Sequence, residues 1–226
     1  MNFRQLHNHP FHDRIDAGRQ LAQQLLPRYY RHPNAVVLAL PRGGVPVAHE
    51  IARALDLPLD LCLVRKLGVP GHAELAMGAI ASSGVRVLNQ ELVDNLGIAS
   101  SVIEQVTAAE NTELKRREQV YLEGRSAVDL TNKTVILVDD GVATGATLRA
   151  AIAILKKSQV NDIIVAVPVA QSTISDQLRR EVNEVVCVAT PDRLQSISLW
   201  YDEFDQTSDD TVKAILHEHD KQSASL

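Results

Sequence analysis

Five short apolar runs frame this chain: residues 35–40 (AVVLAL), 59–64 (LDLCLV), 134–138 (TVILV), 162–167 (DIIVAV) and 184–189 (EVVCVA). They are rich in β-branched residues and show little polar alternation, as expected of strands covered on both faces in a parallel sheet. Helical spacing follows two of them. Ala48, Ile51, Ala52 and Leu55 keep the i, i+3, i+4, i+7 pattern, and Leu148, Ala151, Ile152 and Leu155 repeat it. Residues 171–181 are also predicted to be helical. Strand followed by helix, repeated, means right-handed βαβ crossovers, so the expected architecture is a doubly wound, mostly parallel α/β sheet.

The composition agrees with such a core. Of 226 residues, 45% are hydrophobic and 23% charged, but aromatics are only 4%, so Val, Ile, Leu and Ala must fill the interior. The formal charge of −5 lacks the electrostatic footprint of a general nucleic-acid binder, and no nucleic-acid partner is expected. No apolar run approaches a membrane span, so no membrane partner is expected either. The opening MNFRQLHNHPFHD has no apolar stretch of a secretory signal. Cys62 and Cys187 lie singly within apolar runs, which fits reduced, buried thiols and a cytoplasmic location.

Other segments interrupt the rhythm. Residues 13–30 are predicted to form a helix with Ile15, Gly18, Ala22, Leu25 and Leu26 on one face. Residues 65–88 read as a Gly-rich loop feeding a hairpin of 76–81 and 84–88, turned at Ser82, Ser83 and Gly84. A long charged helix is expected over 99–123, ended by Gly124. Residues 219–226 are expected to be a frayed tail.

The chemistry concentrates in Val135-Ile-Leu-Val-Asp-Asp-Gly-Val-Ala-Thr-Gly-Ala-Thr147. An apolar strand runs into two carboxylates, then a small-residue turn, then a helix. The C-terminal end of a parallel strand is where an open α/β sheet binds its ligand. Small residues let backbone approach an anion, and the following helix start adds N–H donors and a positive dipole end. Asp139 and Asp140 would repel phosphate, so they suit neighbouring hydroxyls. A phosphorylated ribose combines both features. Neither a nucleotide P-loop nor a dinucleotide Gly-x-Gly-x-x-Gly is present.

This segment resembles the signature of the type I phosphoribosyltransferases: an apolar strand, two acids and Thr-Gly-x-Thr. More narrowly, ALPRGG at 39–44, RKLGVPGHAELAMGAI at 65–80 and WYDEF at 200–204 are similar to a bacterial group of stand-alone phosphoribosyltransferases. The resemblance implies one domain over 1–226, with a core at about 35–190, a hood from 1–34 and 191–218, and the tail 219–226. It implies that Asp139 and Asp140 bond the ribose hydroxyls of phosphoribosyl pyrophosphate (PRPP). Ala143, Thr144, Gly145, Ala146 and Thr147 would hold its 5′-phosphate. Arg42, Gly43 and Gly44 would form the pyrophosphate loop. Two glycines there let amides face an anion, and Arg42 adds a forked donor set.

Residues 65–75 fall at the family's flexible catalytic loop. Arg65 or Lys66 could reach the leaving pyrophosphate, while His72 and Glu74 are the titratable groups there suited to proton transfer. Family members acting on hypoxanthine or guanine carry an acid where this chain has Ala143, so a carboxylate base must come from elsewhere, for instance Glu74. Trp200 and Tyr201, near Phe204, are candidates to stack a planar base, or to pack the hood on the sheet. His7, His9 and His12 have no evident partners for zinc and read as a solvated arm. The reaction implied is transfer of the 5-phosphoribosyl group from PRPP to a nitrogen of an unidentified nucleobase-like acceptor, in nucleotide metabolism. Mg²⁺ would arrive through PRPP rather than through protein ligands, and the family's habit implies a homodimer. The alternatives are a non-catalytic PRPP- or nucleotide-binding regulator on the same fold, and hydrolysis of a phosphate ester or nucleotide.

Overall fold

The computed structural model describes residues 10–122, 125 and 128–223, without the side chains of Ala73, Glu74 and Ser223. In chain order the elements are α1 (Arg14–Tyr29), β1 (Ala35–Ala39), α2 (Gly44–Leu55), β2 (Leu59–Leu61), β3 (Val64–Val69), β4 (His72–Ala81), β5 (Arg86–Leu88), α3 (Gln90–Asn95) and α4 (Ser100–Leu122). Then come β6 (Thr134–Val138), α5 (Ala146–Lys157), β7 (Asp162–Val169), α6 (Ser172–Leu178), β8 (Glu184–Ala189), a 3-10 turn (Ile197–Trp200) and α7 (Asp209–Ser223).

All five apolar runs become strands of one parallel sheet in the order β2-β1-β6-β7-β8. Successive side chains of a strand point to opposite faces, and here both faces are packed. Val37, Ala39, Ile136 and Val138 join a core with α1, α2 and α7, whereas Val36, Leu38, Val135 and Leu137 join one with α5. That double burial is why the runs lack polar alternation. Cys62 is buried as expected, and burial pushes its thiol up to about 12. Cys187 is only half-buried, because β8 is an edge strand.

Several expectations need correction. In α1 the buried face is Ala17, Gly18, Leu21, Ala22 and Leu25, while Ile15 and Leu26 are exposed. The stripe is set by close approach to α2: a Cβ on Gly18 would stand 2.7 Å from the Val47 carbonyl oxygen. Residues 65–75 are not a loop. They form most of an antiparallel hairpin, β3 with β4, which β5 extends to three strands. Val64, Leu67 and Val69 are buried, and Gly68 absorbs a register shift in the pairing. Only Pro70 and Gly71 make the turn.

The tail is likewise more ordered than its polarity suggests. Residues 219–223 continue α7, whose Val212, Leu216 and His219 form a buried stripe. This helix packs on α2, α4 and β2, so residues 209–218 flank the core instead of roofing the sheet. The helix predicted over 99–123 is described as far as Leu122, and its expected stop, Gly124, lies outside the described residues.

His219 meets His49 of α2 edge-on, with ring centroids 5.8 Å apart, and its Nε2 lies 3.1 Å from the Leu57 carbonyl oxygen. Burial lowers the pKa of both imidazoles, against the pull of Glu50 and Glu218 on His49. Each binds a proton less readily in the folded chain than in the unfolded one. Acidification through about 6.5 therefore protonates the unfolded state first and draws the equilibrium toward it. The thermal midpoint is expected to fall between pH 8 and pH 5.5, with a shallower fall in His49→Leu; equal slopes would contradict this account.

Candidate active site

β1 and β6 are neighbours, in register from Ala35 opposite Thr134 to Ala39 opposite Val138. Both strands end at the same level, so Leu40–Gly44 and Asp139–Thr147 emerge side by side. Between them the strand order reverses, the place where such sheets form a ligand crevice. The approach is very close. A Cβ on Gly43 would fall 1.9 Å from Asp140 Oδ2, and one on Gly44 would fall 2.7 Å from the Val138 carbonyl oxygen. At Gly44 the obstacle is backbone, so only glycine fits; a side chain at Gly43 would have to displace the Asp140 carboxylate. The Pro41–Arg42 peptide bond is cis.

Beyond the acids the chain turns into α5 through Gly145, whose φ of 73° favours glycine. Gly145 supplies no side-chain cap, leaving first-turn amides of α5 for another acceptor. Thr144 Oγ1 accepts from the Ala146 N–H at 3.4 Å. Ala143, Thr144 and Thr147 are exposed, and residues 139–148 line a cavity of about 220 Å³. Ile197 closes one side of it, with its methyl 2.7 Å from where a Gly141 Cβ would lie.

The two acids differ in environment. Asp139 Oδ1 accepts the N–H of Asp140 at 2.9 Å. Burial, and then the charge of Asp140, pushes the Asp139 carboxyl well above its ordinary range. Burial also raises Asp140, opposed by Arg14, whose Nε and Nη2 donate to Oδ2 at 2.9 and 2.8 Å. Arg14 starts α1, stacks 3.9 Å above the centroid of the Phe204 ring, and donates from Nη1 to the Asp205 carbonyl at 2.7 Å. Nothing in its local sequence marks it, because every partner is distant along the chain.

The roof over this end of the sheet comes from both flanks of the sequence. Phe11 bridges Tyr201, and the Asp202 and Glu203 amides donate to the carbonyls of Phe11 and His12. Tyr201 is buried between Phe11 and Phe204, and its hydroxyl donates to the Asp140 carbonyl at 2.7 Å. It is therefore a hood core residue and presents no face to a base. Trp200 is half-buried against the same cluster. Ile197 is a second hood side chain that reaches the loop, and it lines the cavity itself. His12 is exposed, as expected of a solvated arm, although it lies 3.6 Å from Asp202 and 3.9 Å from Glu203; His7 and His9 lie outside the described residues.

Arg42 stands 3.5 Å from Asp209 of α7, which also accepts the Tyr121 hydroxyl at 2.6 Å. Arg65 and Lys66 line a second cavity beside Pro41 and Thr147. His72 is exposed at the tip of the β3–β4 hairpin, and the Glu74 side chain lies outside the described residues.

Comparison with known proteins agrees with this geometry. The phosphoribosyl transferase domain model matches residues 5–193. The chain belongs to this family of α/β proteins. Two strains of Mycobacterium tuberculosis carry a protein named "Putative phosphoribosyl transferase" that is 44% identical over 206 residues. The match covers 91% of this chain and 46% of that protein, so the chain spans about half the length of these curated relatives. The crystal structure of TT1426 from Thermus thermophilus is 38% identical and superimposes with a TM-score of 0.84, covering 92% of this chain and 98% of that one.

Replacing Arg14 leaves a buried carboxylate without its cation. Arg14→Met is expected to cost about 3 kcal/mol in urea unfolding, with much of it recovered in the Arg14→Met/Asp140→Asn double variant. Additive losses in the two single variants would show that the pair is not coupled.

Proposed function

We propose that this chain transfers the 5-phosphoribosyl group of PRPP to a nitrogen of a nucleobase-like acceptor, releasing pyrophosphate. The observation that carries this reading is the in-register meeting of the acid pair and its Thr-Gly-x-Thr loop with the Leu40–Gly44 turn. The 143–147 backbone with Thr144 and Thr147 takes the 5′-phosphate. Among the described residues, no hydrogen bond engages Asp139 Oδ2 or Asp140 Oδ1, and these are the oxygens assigned to the ribose hydroxyls. Gly43, Gly44 and Arg42 take the diphosphate, with Arg65 and Lys66 across the second cavity.

In the reaction, the bond from C1′ to the diphosphate oxygen breaks and its electron pair leaves with pyrophosphate. The acceptor nitrogen then bonds C1′ from the opposite face with its lone pair, and the ring proton of the base passes to the departing pyrophosphate or to water. Asp139 and Asp140 place negative charge beside the ribose as it becomes positive, and fixed amides hold the phosphates. The hairpin and the hood limit water at C1′, which would otherwise hydrolyse the sugar. No group of three or more acidic, His or Cys side chains among the described residues could hold a metal by itself. The acid pair beside the loop fits Mg²⁺ carried by PRPP oxygens and not bound directly by protein ligands. When bound, Mg²⁺ neutralises charge on the leaving diphosphate. Ala143 offers no carboxylate to the acceptor, so a base with few ring N–H groups to satisfy suits this site. Among the described residues no helix is long and apolar enough to cross a membrane.

The direct assay is pyrophosphate release from PRPP and Mg²⁺, with single purine and pyrimidine bases and a base-free control. Release dependent on one base is expected. Asp139→Asn should lower that turnover roughly a hundredfold while the thermal midpoint is kept. Release without any base would replace transfer by hydrolysis, and PRPP binding without turnover would replace it by a regulatory role.

A further inference from the structure

The second cavity, about 440 Å³, lies between the Leu40–Pro41 turn, the start of β3, α4 and Thr147. Thr147 also lines the 5′-phosphate cavity, so the two spaces adjoin. Three cations face the second one: Arg65 and Lys66 from β3, and Arg117 from α4. Glu110 is the one acid among the lining residues. A wall with three positive charges and one negative charge favours a compact, multiply charged anion.

The two arginines are held alike. Arg65 donates through Nε to Glu110 at 2.5 Å, and Arg117 donates through Nε to Glu113 at 2.9 Å. Both acids belong to α4. Among the described residues, no hydrogen bond engages the terminal nitrogens of either guanidinium. Each arginine is thus fixed at its inner nitrogen and keeps a pair of outer donors, the arrangement that binds phosphate oxygens in a fork. The neighbouring Arg116 supplies an internal contrast. It also pairs with Glu113, at 2.8 Å, but it lines the outer surface of α4 with Lys115 and Gln119 and is absent from the second cavity.

We infer that Arg117 is a ligand of the diphosphate group, supplied by a helix outside the PRPP loop and the Leu40–Gly44 turn. Glu110 and Glu113 are positioning residues that aim Arg65 and Arg117. This assignment rests on the reading of the site as a PRPP site and adds a residue to it.

Calorimetric titration of the full chain with Mg²⁺-pyrophosphate, PRPP and ribose 5-phosphate separates the possibilities, with melting curves recorded for every variant. Arg117→Gln should weaken pyrophosphate and PRPP roughly tenfold or more, and leave ribose 5-phosphate unchanged. Arg116→Gln should change none of the three. Equal pyrophosphate affinity in wild type and Arg117→Gln overturns the assignment while leaving the PRPP site standing. Weakening of all three ligands together would mean a general structural role for Arg117, and also overturns it. Failure of the wild-type chain to bind either PRPP or pyrophosphate removes the underlying reading and this one with it.

Discussion

Asp140 is where the sheet, the Leu40–Gly44 turn and the hood are joined. Its carboxylate lies over Gly43, so a side chain at that point of the turn would have to displace it. The same carboxylate takes two hydrogen bonds from Arg14 at the head of α1, and its carbonyl takes one from Tyr201. A buried carboxylate is tolerated only with a partner of opposite charge and good geometry. Arg14 meets that need and, through Phe204 and the Asp205 carbonyl, draws the 200–205 strap onto the site. An acid at the mouth of the loop cavity thereby also fixes the roof above it.

The parts of this arrangement that are visible in sequence are local. The parallel strands declare themselves because their central positions are apolar without alternation, and two-sided burial, complete along β1 and β6, leaves no alternative to a covered sheet. The Asp139–Thr147 loop is legible because its small residues, acids and helix start are consecutive. The hood is different. Arg14 and Ile197 take their places from partners far along the chain, and neither spacing nor composition signals that. Tyr201 misleads for a related reason: in a protein with few aromatics, a clustered one suggests a stacking surface, yet the hood needs its own small core. α7 escapes notice because its buried stripe is Val212, Leu216 and a histidine, which reads as a polar tail unless His219 is counted as apolar.

Charge is distributed in layers around the site. The innermost layer is backbone amide and glycine, where an anion can come close. Around it stand arginines, and behind most of them a carboxylate: Glu110 behind Arg65, Glu113 behind Arg117 and Asp209 behind Arg42. Asp209 itself is held by Tyr121. Pairing of this kind reduces side-chain freedom before a ligand arrives, which lowers the entropy lost on binding. The lining of the second cavity nevertheless carries three cations against one acid, in a chain whose net charge is −5.

The roof is built from residues 191 positions apart, Arg14 and Asp205, while the floor is finished by β6 and its neighbours. During synthesis, the first four sheet strands and the acid pair leave the ribosome before the strap exists. For that interval Asp140 has Arg14 within reach but no Phe204 or Tyr201 to seat it. The nascent chain thus has the loops for its ligand well before it can shield that ligand from water, and the site matures only as translation passes residue 205.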